Sequence, residues 1–144
     1  MNTITRVFAS LGLGLLAQIS QDAIMSHYFN TFLEANLVNL LVALLAVNSA
    51  TMGIVLTKIR DLLDKRNLED GFAKTKQQML LAIKEQLALI VLSIIFLTLI
   101  TSPYVTLYPN LILLLKCGIA GVFVYSMHIL YDTAKSVLII IDYK

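Results

Sequence analysis

Charged and polar positions divide the chain into four apolar stretches. No charged residue stands between Glu34 and Lys58, and none between Glu85 and Lys116. The hydrocarbon core of a bilayer takes about 20 predominantly apolar residues in helical form. On that measure the pattern predicts spans at residues 7–25, 37–57, 87–102 and 110–131. Pro103 and Pro109 bracket the segment Pro103-Tyr104-Val105-Thr106-Leu107-Tyr108-Pro109. Lacking a backbone N–H, each proline ends one helix or permits the next to begin.

The first stretch differs from the other three. Arg6 followed by residues 7–17 has the outline of a secretory leader, but the chain continues Gln18-Ile19-Ser20-Gln21-Asp22 without a small-residue cleavage pair. It is therefore read as a permanent helix. Those same polar residues leave two placements open, a crossing or a re-entrant interfacial helix. Charge favours the crossing. Lys58, Arg60, Lys65, Arg66, Lys74, Lys76 and Lys84 lie between the second and third spans, whereas the outer segments 26–36 and 102–109 hold no lysine or arginine. Arg6, Lys135 and Lys144 fall on the same side as the basic segment when all four stretches cross. Basic residues are retained on the cytoplasmic side. The expected architecture is all-α: a polytopic membrane protein with four transmembrane helices and both termini cytoplasmic, set in a cell membrane of the bacterial inner-membrane type.

The basic segment, residues 58–86, reads as a helical hairpin continuing the second and third spans. Leu56, Ile59, Leu62 and Leu63 recur at helical spacing, and Asp61–Lys65, Lys65–Glu69 and Arg66–Asp70 are opposite charges four residues apart. Phe72, Met79, Leu80, Ile83 and Leu87 form a second stripe beyond Gly71, which suits a turn near Glu69-Asp70-Gly71. Arg60, Lys65, Arg66, Lys74 and Lys76 make this hairpin a docking surface for a cytoplasmic protein or ligand. The tail Val137-Leu138-Ile139-Ile140-Ile141 is too short to cross again. It belongs in the headgroup region or against the apolar stripe of the hairpin.

Composition sharpens the class. Of 144 residues, 58% are apolar and 14% charged; soluble domains average about 45–50% and about 25%. The mean hydropathy of +0.83 places most of the chain in lipid. The net charge of +2 calls for no polyanionic partner, so no nucleic acid is expected. Cys117 is the single cysteine, which excludes an internal disulfide and fits a small apolar packing residue. No HExxH, no cysteine–histidine metal spacing and no glycine-rich phosphate loop occurs. His27 and His128 fall at opposite membrane faces in the expected topology. Neither an enzyme nor a metal or other cofactor is expected.

Candidate residues come instead from helix faces. Asn36, Asn39, Ala43, Ala46, Ala50, Gly53 and Thr57 advance by three and four along the second span. A small-residue face lets another backbone approach closely, the basis of helix association in lipid. Its neighbour is either within the chain or in a second copy, where it would include a pore-lining role. Asn48 lies almost opposite that stripe and needs a partner or water. Gly121, Tyr125, His128 and Asp132 share a face of the fourth span, where the carboxylate either holds the imidazole in a proton-sensitive gate or both side chains anchor at the interface. Lys116 either snorkels outward or lines a vestibule, with Asp22 at a compatible depth to pair with it.

Ala50-Thr51-Met52, the basic segment from Lys58 to Lys84 and the stretch Tyr125-Ser126-Met127-His128 give the chain its family likeness. With its length and four spans, it resembles small bacterial membrane proteins of phage exclusion, of the lambda RexB type. That resemblance implies an ion channel acting as a depolarising effector. The residues by themselves imply only an oligomer-capable helical bundle; the leading expectation is a homo-oligomeric channel or permeabilising protein gated through the hairpin. An immunity or accessory subunit that binds another membrane protein is the alternative, and a holin-like lysis protein the third reading.

Overall fold

Helix ends in this chain are set by local chemistry that hydropathy does not resolve. The structure, a computed structural model, describes the backbone of residues 3–66 and 73–141 and the side chains of residues 4–60 and 76–138. The described residues form α1 (Thr3–Ala23), α2 (Tyr28–Arg66), α3 (Ala73–Ile100), a 3₁₀ turn at Val105–Leu107, and α4 (Pro109–Ile141). The fold is all-helical, and three of the helices are long and apolar enough to cross a membrane, over Tyr28–Arg60, Lys76–Ile100 and Pro109–Leu138.

α1 closes in a Schellman turn. The amide of Ser26 donates to the Gln21 carbonyl at 3.0 Å and that of Met25 to the Asp22 carbonyl at 3.2 Å. Met25 holds the left-handed position of that turn at φ 52°, where glycine is the usual occupant. At the other connection Pro109 is the first residue of α4, a place where its missing N–H costs nothing. The Tyr108 carbonyl accepts the first bonds of that helix, from Leu111 and Ile112 at 3.0 and 3.2 Å.

Several expected boundaries move. α2 begins at Tyr28, so the connection after α1 is the four residues 24–27 and not the segment 26–36. The polar residues Asn30, Glu34 and Asn36 sit inside the helix because one side of its first turns already packs, with Leu33 and Leu37 fully buried. The tail from Val137 continues α4 as helix to Ile141. The expected turn at Glu69-Asp70-Gly71 and the ion pairs of Asp61, Lys65, Arg66, Glu69 and Asp70 lie outside the described residues and side chains.

α4 is the central helix. It packs against α1, α2 and α3, and α2 and α3 also pack on each other. In their membrane-compatible windows 56% of α4 is buried, against 22% for α2 and 17% for α3. The core consists of Leu33, Leu37 and Leu41 from α2 with Ile119, Ala120 and Val122 from α4. Phe96 of α3 seats on Gly118, where an added Cβ would lie 2.8 Å from its ring. Phe29 and Phe123 meet edge to face at 6.3 Å between centroids. Outward, large apolar side chains such as Phe8, Leu16, Ile54, Val91, Ile94 and Leu114 stand exposed on all four helices, the surface expected of a chain bathed in lipid.

Candidate functional site

The α1–α4 seam explains why Gly121 faces where it does. Ser10, Gly14, Gln18 and Gln21 form the buried side of α1, at spacings of four, four and three. A Cβ on Gly14 would lie 2.7 Å from the Cys117 carbonyl and 3.0 Å from the Gly121 nitrogen. One on Gly121 would meet Leu11 at 3.0 Å. The two backbones therefore touch, and α1 runs antiparallel along α4 from Arg6 beside Asp132 to Gln18 beside Lys116. The Gly121, Tyr125, His128 and Asp132 face is thus at least partly a docking face for α1. Cys117 is buried in the same seam, as expected of a small packing residue.

At one end of the seam Gln18 and Asn30 satisfy one another, while Gln21 Nε2 is buried without a partner among the described residues. Gln18 Nε2 donates to Asn30 Oδ1 at 2.7 Å, and Asn30 Nδ2 returns a bond to Gln18 Oε1 at 2.8 Å. Gln18 Nε2 also reaches the Lys116 carbonyl at 3.5 Å, and Gln21 Oε1 accepts the Asn30 backbone N–H at 3.2 Å. This clasp fixes α1 to the start of α2 and to α4. A buried polar group deprived of its partner costs about 1–3 kcal/mol, which is the scale on which the clasp holds. Lys116 is half-buried, while Asp22 is exposed and forms no ion pair with it. The expected Lys116–Asp22 contact is therefore corrected: what ties Lys116 to α1 is its backbone carbonyl.

Toward the other end the polar groups are ionic. Arg6 Nη1 lies 2.5 Å from Asp132 Oδ2, and His128 Nε2 lies 3.9 Å from that same oxygen. The structure brings His128 and Asp132 together as their spacing predicts, and adds Arg6 as the nearer partner of the carboxylate. The Tyr125 hydroxyl donates to Glu85 Oε2 of α3 at 3.3 Å, which sets α3 against α4 at this depth. Next along α3, Gln86 is 2% exposed, and on the inner side of α2 Asn48 is 0% exposed. Neither amide has a hydrogen-bond partner among the described residues, for its nitrogen or its oxygen. Of the two outcomes open for Asn48, a partner or water, no protein partner is present among the described residues.

The small-residue stripe faces outward. Asn39, Ala43, Ala46, Ala50, Gly53 and Thr57 are exposed and Asn36 is half-buried. An added Cβ on Gly53 would meet nothing within 4 Å. α2 turns Leu41, Asn48, Met52, Val55 and Ile59 inward, so none of the described residues of this chain covers the stripe. Arg60 and Lys76 are exposed, and the side chains of Lys65, Arg66 and Lys74 lie outside those described. Among the described residues no group of histidine, cysteine or carboxylate side chains is arranged to hold a metal ion.

Sequence reading missed Gln18, Asn30, Glu85 and Gln86 as site residues, and it missed Ser10 and Gly14. The α1 stripe was recoverable from its spacing alone. The clasp was not, because its members are 12 and 98 residues apart in the chain. No family model, curated protein or solved structure matches the chain.

Proposed function

We propose that the chain assembles with copies of itself into a membrane channel or permeabilising effector, with the outward face of α2 as the contact between copies. The observation that carries this reading is the uncovered line Asn39, Ala43, Ala46, Ala50 and Gly53 on a membrane-compatible helix whose opposite side is packed. Association in lipid depends on close backbone approach, and small residues permit it. The leucine core fills the centre of a single copy, which favours a conduction path made by several.

In this reading all four helices cross. α1 lies along the membrane-compatible part of α4, shows lipid Ile4, Phe8, Leu15, Leu16 and Ile19, and turns its small and polar residues to the seam. A helix of 21 residues spans about 31 Å, close to the thickness of the hydrocarbon core. Both termini and the basic segment 58–86 are cytoplasmic, as lysine and arginine retention requires. Arg60, Lys65, Arg66, Lys74 and Lys76 form the surface through which a cytoplasmic protein or ligand gates the assembly. Depolarisation in phage defence is the role implied by the resemblance to exclusion proteins.

The test is membrane potential on induced expression. Wild type depolarises the cell; Gly53→Leu and Ala46→Leu insert at the same level and do not. A wild-type chain that leaves the potential intact and co-purifies with a different membrane protein identifies the accessory-subunit alternative, in which the same face serves that partner. Abrupt permeabilisation above a threshold concentration identifies the holin-like one.

A further inference from the structure

We propose that water occupies the interior of each copy around Asn48 and Gln86, entering from the end that carries Arg6 and Asp132 and stopping at the leucine core. Four amide atoms are buried there on two neighbouring helices without a partner among the described residues. Side chains of this kind are kept in an apolar interior when hydrogen bonds satisfy them, and the described residues supply none. A buried water commonly makes two to four hydrogen bonds and serves this purpose, where the surroundings are polar.

Polar groups mark the way in. Arg6, His128 and Asp132 are only part-buried, with side chains 30–37% exposed, and so meet the aqueous end. The Tyr125–Glu85 bond then carries polar surface inward along the α3–α4 contact to the residue adjoining Gln86. Ser126 of α4 and Ser93 of α3 are fully buried, and their hydroxyls donate to carbonyls of their own helices at 2.7 Å each, leaving oxygen lone pairs free to accept from water. In the opposite direction the path is shut. Leu33, Leu37, Leu41, Ile119 and Ala120 are packed together, and beyond them Gln18 and Asn30 are bonded to each other. The outcome is a polar half-path closed by an apolar plug. It belongs to the single copy and does not rest on assembly or on conduction, so a chain that never depolarises a cell can still contain it.

Side-chain amide exchange in the unmodified protein tests this directly. Wild-type chain in phosphatidylcholine–phosphatidylglycerol vesicles is moved into D2O, and the side-chain NH2 signals of its asparagines and glutamines are followed by solid-state NMR. Asn48 and Gln86 should exchange at least about tenfold faster than Gln18 and Asn30, whose protons are held in their mutual bonds. Equal persistence of all four signals overturns the proposal. A chemical readout supports or sinks it independently. In a Cys117→Ala background, Asn48→Cys and Gln86→Cys should react with a small membrane-permeant methanethiosulfonate, while Leu37→Cys should not. Reaction at Asn48→Cys and Gln86→Cys no faster than at Leu37→Cys refutes a hydrated interior.

Discussion

Two sets of buried amides in one bundle meet opposite fates. Gln18 and Asn30 are joined by a reciprocal pair of bonds at 2.7 and 2.8 Å, with Gln21 supplying a third contact to the Asn30 backbone. Asn48 and Gln86, buried as deeply, have no such partner among the described residues. The residue types are the same, and Asn30 and Asn48 stand on the same helix, α2. The difference lies in whether another amide stands opposite. Gln18 projects from a helix seated backbone to backbone on α4 and meets the Asn30 amide there, while Gln21 Nε2 on the same face is buried without a partner among the described residues. Asn48, farther along α2 than Asn30, and Gln86 of α3 meet no such amide among the described residues. In hydrocarbon one amide acts as glue and another opens a place for water, and pairing decides between them.

The largest effects should come from breaking the paired end. Gln18→Leu leaves Asn30 buried without its partner and should cost about 1–3 kcal/mol, whereas Asn48→Leu orphans nothing in the protein and should change stability by less than about 1 kcal/mol. Thermal unfolding in one detergent compares the two; an equal loss would erase the distinction. Gly14→Ala asks whether α1 is held by the clasp or by the backbone contact behind it. Its new Cβ would meet the Cys117 carbonyl at 2.7 Å. Overpacking of this kind costs about 1–3 kcal/mol. Gly12→Ala meets nothing within 4 Å and should stabilise the helix by about 0.5–1 kcal/mol.

Much of this was legible in the sequence, and the reasons for the rest are specific. Two uncharged runs marked α2, α3 and the first turns of α4, and Pro109 marked the start of α4 because a fixed φ and a missing N–H suit a first helical turn. The three- and four-residue spacing of Asn39, Ala43, Ala46, Ala50 and Gly53 correctly placed them on one face, though not which face the chain would cover. The start of α2 at Tyr28 was hidden by Asn30, Glu34 and Asn36, whose polarity reads as a loop until Leu33 and Leu37 are seen to pack. His128 and Asp132 were paired by periodicity, but Arg6 reached Asp132 from the far end of the chain. Periodicity within one helix carries no information about which residue of another helix arrives.

Two smaller tests refine the same contrast at its margins. Met25→Gly relieves the left-handed backbone next to the clasp and should raise stability by about 1 kcal/mol in the same unfolding assay. Asp132→Asn removes the ion pair at the opposite end. With both side chains about one third exposed, the loss should stay below about 1 kcal/mol and shrink as salt is added.

Whether copies meet through α2 is settled most directly by disulfide trapping in native membranes. In a Cys117→Ala background, Ala46→Cys and Ala50→Cys should give covalent dimers under mild oxidation, because a disulfide requires Cα atoms within about 7 Å. Leu16→Cys, exposed on the far side of α1's seam, should stay monomeric. Dimers formed as readily at Leu16→Cys, or none at Ala46→Cys and Ala50→Cys, would contradict assembly through that face.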